Sequence, residues 1–326
     1  MECVGYSEID KYAIQIYQKH FPKHENYGDI KKINETELPD FDILVGGFPC
    51  QSFSIAGKRK GFEDTRGTLF FDIARILRAK RPSYFLLENV KGLLSHDSGS
   101  TFKTIITTLT ELGYDLQWQV LNSKSWVPQN RERIFIVGHL RGERRPEVFP
   151  FKEDGSGDDS QAEGEREASF CLSTRSKRYD ASAQTYIAHA LTTRPNLPSR
   201  TQRRSHENLI GTLRTHKDGN GFREMKEKVS PTIPARARED GSGQPIVYTV
   251  DGIRRLTPVE CERLQGFPDH WTAIGMTEPK EDCKLCQHPI KCIGHHKEIS
   301  DSQRYKTLGN AVTTNVIQAI MEKIIL

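Results

Sequence analysis

The sequence predicts an α/β fold: a sheet of parallel strands with helices on both faces, joined to a smaller β-rich domain. Three observations carry this. Strand-like and helix-like segments alternate through residues 1–150. Residues 168–250 break into short β-like pieces among Gly, Pro, Ser, Thr and Arg, with no long amphipathic helix. Helical pattern returns at Leu256–Leu264 and closes the chain at Thr313–Ile325. Strands alternating with helices imply a parallel sheet, because a parallel pair needs a crossover long enough to hold a helix.

The elements follow in order. Glu2–Ser7 is a short strand-like run, and Lys11–His20 carries Tyr12, Ile14, Ile16 and Tyr17 at helical spacing. Asp42–Val45 reads as a buried strand ending at Gly46-Gly47. Leu69–Leu77 reads as a helix, Tyr84–Leu87 as a strand, Thr101–Leu112 as a helix and Ile134–Val137 as a strand. In such folds ligands sit beyond the carboxyl ends of the strands. Two motifs fall there, Pro49-Cys50-Gln51 after one strand and Glu88-Asn89-Val90 after another.

Composition bounds the function. The 326 residues are 36% hydrophobic and 28% charged, and no apolar run approaches the ~20 residues of a membrane span. The N-terminus shows no signal-peptide pattern, so a cytoplasmic location is expected. Net charge is +4, but residues 153–167 are acidic and residues 175–238 rich in Arg and Lys. A basic segment beside a neutral body suits a polyanion, although a solvated face is the plainer account of charge alone. Seven Cys in such a chain point to metal or catalysis before disulfides.

Three stretches carry candidate chemistry. Cys50 sits on a loop after a buried strand, where positive charge or a helix dipole would activate its thiolate. The plainer alternative is an inert buried thiol. Glu88 at a strand end would have a raised pKa if buried and could hold a proton; otherwise it is a cap or ion pair. Arg131 and Arg133 share one side of an extended segment and could grip a carbonyl, a phosphate or Glu88. A surface ion-pair ladder with Glu132 is the alternative.

Taken together, GFPCQ-x-FS, ENV, QNRERIFIVG, RRLTPVECERLQGFPDHW and GNAV stand in an order that resembles the DNA (cytosine-5) methyltransferase family. The resemblance covers residues 1–150 and 252–326, and Arg66–Leu77 is similar to a helix of that family. It implies a Rossmann-like, S-adenosylmethionine-dependent sheet with a β-rich target-recognition domain. It implies that Cys50 attacks carbon 6 of a flipped cytosine, that Glu88 acts near ring N3, and that Arg131 and Arg133 bind the base carbonyl or orient Glu88. Gln51, Ser54 and Thr232 are carried over as substrate contacts, Thr232 from Val229–Pro234. Glu8, Ile9, Asp29, Ile30, Pro49, Leu69, Asn310 and Val312 match positions around the methyl donor, S-adenosylmethionine.

One departure stands out. The family begins with a strand and a Phe-x-Gly-x-Gly loop around the donor's methionine end, and no such motif precedes Glu8. The expectation is a chain lacking its first strand, with donor binding and activity weakened. The expected division is 1–150 plus 301–326 catalytic, 151–167 linker, 168–253 target recognition and 254–300 connecting. Cys283-x2-Cys286-x5-Cys292-x2-His295 in this last part, with His296 adjacent, has tetrahedral zinc spacing, so a structural zinc insert at 283–296 is expected. A reduced insert without metal is the alternative. The implied partners are double-stranded DNA and a cognate restriction endonuclease, with no membrane, and the chain is expected to be monomeric. An inactive DNA-binding remnant and an RNA cytosine methyltransferase remain as rival readings.

Overall fold

The computed structural model describes residues 2–49, 69–142, 144, 146–151, 209–213, 222–224, 229–235, 245–249, 252–277 and 294–325. Cys50, Gln51, Ser54, Cys283, Cys286 and Cys292 lie outside the described residues, as does most of the expected linker.

The chain opens without the expected strand at Glu2–Ser7. Only an isolated parallel bridge, Tyr6 to Asn26, forms there. Helix α1 (Lys11–His20) follows with the expected bounds. Asp10 caps it, its carboxylate accepting from Tyr12 N at 3.0 Å and Ala13 N at 3.2 Å, so two of the helix's unpaired donors are satisfied.

The main sheet contains β1 (Ile43–Gly47), β2 (Tyr84–Val90), β3 (Tyr114–Asn122) and β5 (Glu132–Leu140), with the two-residue β4 (Gln129–Asn130) just before β5. Helix α2 (Leu69–Lys80) connects β1 to β2, and α3 (Ser100–Glu111) connects β2 to β3. Strand order is β1-β2-β5-β3. The sheet is mixed rather than parallel. β1 and β2 run parallel, but β5 is antiparallel to both β2 and β3. The parallel expectation fails at β5, because an extra strand, Tyr114–Asn122, precedes it; that strand is not among the expected elements, although Tyr114, Leu116, Trp118 and Val120 alternate with Asp115, Gln117 and Gln119. A β3–β5 hairpin therefore closes the sheet in place of a helical crossover. β2 also runs three residues further than expected, so Glu88 and Asn89 are its last rungs rather than a following loop.

Alternation along β2 and β5 builds the core. Phe85, Leu87, Ile134 and Ile136 pack with Phe70, Ile73 and Leu77 of α2 and Ile105 and Leu109 of α3. Leu86, Phe135 and Val137 face the opposite side. The two central strands are thus buried on both faces, while β1 is an edge. Its Val45 is 54% exposed, against the buried strand that the sequence suggested.

The second sheet is small and antiparallel, in the order β10-β9-β6-β7. Its strands are β6 (Leu209–Leu213), β7 (Phe222–Glu224), β9 (Pro245–Thr249) and β10 (Gly252–Arg255). The β-rich reading of this region agrees with them, although β10 runs two residues past the expected boundary. Separately, β8 (Ser230–Pro231) pairs in parallel with β4.

Helix α4 (Pro258–Leu264) starts on a Thr257–Glu260 capping box. β11 (Ile274–Met276) and β12 (His296–Glu298) pair antiparallel. Helices α5 (Asp301–Asn310) and α6 (Thr314–Ile325) end the chain. Val316, Ile320 and Ile324 of α6 cover the second face of the main sheet. Phe151, placed by sequence in the linker, is 5% exposed within that same cluster. No helix among the described residues is long and apolar enough to cross a membrane.

Candidate active site

The site gathers at the carboxyl end of β2. Parallel register sets Gly47 of β1 beside Glu88. A Cβ on Gly47 would lie 3.4 Å from Glu88 Oε2, so the bare backbone keeps that side of the carboxyl clear. On the other side, antiparallel register sets Val90 opposite Arg133. Arg133 Nε stands 2.9 Å from Glu88 Oε1, with side chains 15% and 18% exposed. Its N–H is not aimed at that oxygen, so the contact is between charges rather than a well-aligned hydrogen bond.

The surroundings shift Glu88 toward its protonated form. Burial pushes its carboxyl above the usual carboxylate range, and the charges of Arg133 and Arg131 only partly offset this. Burial also lowers Arg133, whereas Arg131 is pushed down to about 10 by burial and by the neighbouring Arg133 charge.

Asn89 does the neighbouring work. It is 3% exposed, and its Nδ2 donates to Phe48 O at 2.7 Å. Phe48 and Pro49 lead into Cys50, so this bond ties the start of the cysteine segment to the strand that carries Glu88. Motif order alone includes Asn89 but assigns it no role. An amide inside a buried apolar strand is the available signal, because such a group needs a partner.

Arg131 is placed differently from Arg133. It is 3% exposed, and its Nη2 donates to Ala311 O at 2.6 Å. Both Nη atoms also reach Gly309 O at 3.4 Å. Its hydrogen bonds brace the end of α5, and it reaches Glu88 only as a charge. Gly309 in turn packs against 234–235, where a Cβ would meet Ala235 N at 2.4 Å. That contact, and the bond from Thr232 Oγ1 to Asn130 O at 2.8 Å, position Thr232. Thr232 then lines an open cavity of about 510 Å³ with Lys91, Asn130, Glu132, Arg133 and Pro231.

Among the described residues, half of the buried side-chain polar atoms without partners fall on Gln129, Arg131 and Arg133. Arg133 Nε among them still faces Glu88 Oε1 as a charge, so this stretch is one of imperfectly aligned polar groups next to the cavity.

The candidate donor residues also converge. Asn26 ties their first two segments together. Its Oδ1 accepts from Glu8 N at 3.2 Å and Gly28 N at 3.0 Å, and its Nδ2 donates to Glu8 O at 3.2 Å. Glu8 turns Oε1 onto Ile9 N and Asp10 N, both at 2.7 Å, and Asp29 caps the turn at Lys31. Lys306 of α5 pairs with Asp10; Asn310 lies one turn further along the same face of α5, and Val312 two residues beyond it. Ile30, Leu69 and Phe48 share one apolar cluster, which brings Pro49 to the same region. Ile9 is 72% exposed, and a Cβ on Gly46 would meet nothing within 4 Å.

At the expected metal insert, only His295 is described among the four candidate ligands. Its backbone exchanges bonds with Thr277: His295 N–H donates to Thr277 Oγ1 at 2.9 Å, and Thr277 N–H to His295 O at 2.8 Å.

Comparison with known proteins decides the family. Residues 1–326 match the model for C-5 cytosine-specific DNA methylases. The chain belongs to that family. A type II methyltransferase, M1.ScrFI of Lactococcus lactis subsp. cremoris, is 40% identical over 335 residues, spanning 100% of this chain and 72% of the relative. M.HhaI of Haemophilus parahaemolyticus is 36% identical, covering 98% of this chain and 86% of that protein. Among solved structures, S. pombe Dnmt2 methyltransferase superposes with a TM-score of 0.59 at 16% identity, covering 99% of this chain and 90% of that one. This methylase is therefore a C-5 cytosine methyltransferase of restriction-modification type, on a mixed α/β fold.

Proposed function

We propose that this methylase flips a cytosine out of double-stranded DNA and methylates it through a covalent bond to Cys50. The observation that carries the reading is Glu88, a carboxyl with a raised pKa held between Arg133 and the Asn89–Phe48 tie. The Cys50 thiolate adds to carbon 6 of the ring, and the displaced electron pair makes carbon 5 nucleophilic. Glu88 gives its proton to N3, which absorbs the charge of the adduct. Arg133 holds Glu88 in place and borders the cavity that receives the base, with Thr232 on the rim. Arg131 acts by positioning, through its bonds to Gly309 and Ala311. S-adenosylmethionine, when bound, supplies an electrophilic methyl group; Glu8, Ile9, Asp29, Ile30, Pro49, Leu69, Asn310 and Val312 would hold it. After transfer, loss of the carbon 5 proton to a base expels the thiolate.

Gln51 and Ser54 are proposed contacts to the flipped nucleotide, and the β6–β10 region is proposed to read the DNA site. A structural zinc at Cys283, Cys286, Cys292 and His295, a paired restriction endonuclease, a monomeric state and a cytoplasmic location complete the proposal. The type II methyltransferases among its relatives favour DNA over RNA as the substrate.

The deciding experiment uses mixed-sequence duplex DNA containing 5-fluorocytosine, which blocks the final elimination. With S-adenosylmethionine present, the chain is expected to form an adduct that survives denaturant, and Cys50→Ser to form none. An adduct with Cys50→Ser would overturn the assignment.

A further inference from the structure

Two ion pairs border the cavity, and they differ in depth. Glu88–Arg133 is the deeper of the two, with side chains 18% and 15% exposed. Lys91–Glu132 stands at the mouth, with Nζ 2.8 Å from Oε1 and side chains 55% and 44% exposed. Lys91 directly follows Val90, the last residue of β2, and Glu132 opens β5, so two rigid strands fix the pair beside the site.

We propose that Lys91 binds a DNA backbone phosphate at the rim of the target pocket, and that Glu132 holds its ammonium in place until DNA arrives. This rests on the reading of the cavity as the entry for the flipped nucleotide. A nucleotide cannot enter the cavity without bringing its flanking phosphates to the mouth. The other described cation there, Arg133, is engaged inward with Glu88 and, through Nη1, with Glu132 O at 2.8 Å. The Thr232 hydroxyl donates its proton to Asn130 O, so it can accept from a ligand but not donate to a phosphate. Lys91 is a compact point charge on a flexible stem. An exposed pair such as Lys91–Glu132 holds weakly and is screened by salt, so a phosphate can displace the carboxylate at little cost. Glu132 then has two effects of opposite sense: it pre-places the ammonium, and it competes with DNA for it.

The test is the salt dependence of KM for mixed-sequence duplex DNA in tritiated methyl transfer. Each neutralised phosphate contributes about 0.9 to the slope of log affinity against log salt. Lys91→Ala is expected to raise KM more than it lowers kcat and to reduce that slope by about one. Lys91→Arg is expected to retain the slope, and Glu132→Ala to lower KM. An unchanged slope with Lys91→Ala overturns the proposal. So does the outcome of a merely structural pair, in which Lys91→Ala and Glu132→Ala lose thermal stability alike and leave KM alone. The covalent reading is judged separately, by the adduct of the unaltered chain with 5-fluorocytosine DNA; if that fails while direct DNA binding still loses slope with Lys91→Ala, the phosphate contact stands without it.

Discussion

Glu262 is a buried carboxylate and Glu88 a largely buried one, and they are satisfied to very different degrees. Glu262, in α4, is 0% exposed and hydrogen-bonded at both carboxylate oxygens. It accepts from His270 N at 2.7 Å, Thr272 N at 2.8 Å, the Thr272 hydroxyl, and Arg304 Nη2 at 3.0 Å. These bonds tie the chain after α4 to α5. Glu88 has one poorly aligned arginine, a second arginine acting at a distance, and an open side toward Gly47. A buried charge hydrogen-bonded at both oxygens serves the fold. A buried carboxyl left under-satisfied is the one whose protonation state can change when a base arrives.

The comparison breaks if the two variants behave alike. Glu88→Gln keeps the shape and removes the proton that N3 requires. Methyl transfer per folded molecule is expected to fall by about 10²–10⁴-fold, the usual weight of general acid catalysis. A fall below ten-fold in single-turnover rate would remove Glu88 from the chemistry. Glu262→Ala should do the reverse. It leaves Arg304 buried without its partner, which costs about 3–5 kcal/mol in a urea melt, while the rate per folded molecule changes little.

Asn89→Ala sharpens the boundary between the two kinds of residue. The Phe48 carbonyl loses its donor, at a cost of about 1–3 kcal/mol. Because that bond leads into Cys50, the 5-fluorocytosine adduct should also form more slowly. A stability loss with an unchanged adduct rate would reduce Asn89 to a packing role.

The smallest expected effect is the pH dependence of stability. The folded pKa of Glu88 lies above its unfolded value, so the folded state binds more protons between the two. Its contribution is fully present below the unfolded pKa and is lost as pH rises through the folded one. Glu88→Gln should therefore flatten the decline in melting temperature as pH rises above the usual carboxylate range. An identical slope in both proteins would contradict the raised pKa.

Much of the site is legible in the amino-acid sequence. Lys11–His20 and the Leu69–Leu77 part of α2 follow from apolar spacing, and Glu88 and Arg133 from their place at strand ends. β3 is absent from the expected elements although Tyr114, Leu116, Trp118 and Val120 alternate with Asp115, Gln117 and Gln119; what its glutamines bind is visible only in the structure. Gln117 Nε2 donates to Pro146 O at 2.7 Å, and Gln119 Nε2 to Phe151 O at 2.9 Å. The same two partners explain why Phe151 is buried core and not the start of a linker.

Local pattern, then, is enough for the family, the candidate reacting residues and most of the helices, because periodicity and motif order are properties of the chain alone. The division of labour between Arg131 and Arg133 is not available at that level. At i and i+2 the two arginines are equivalent in sequence. Only the packing of α5 against 234–235 offers one of them two backbone carbonyls, and only the antiparallel pairing of β2 with β5 offers the other a carboxyl. Strand direction and long-range contact assign the two roles, and neither is encoded within the few residues that carry the motif.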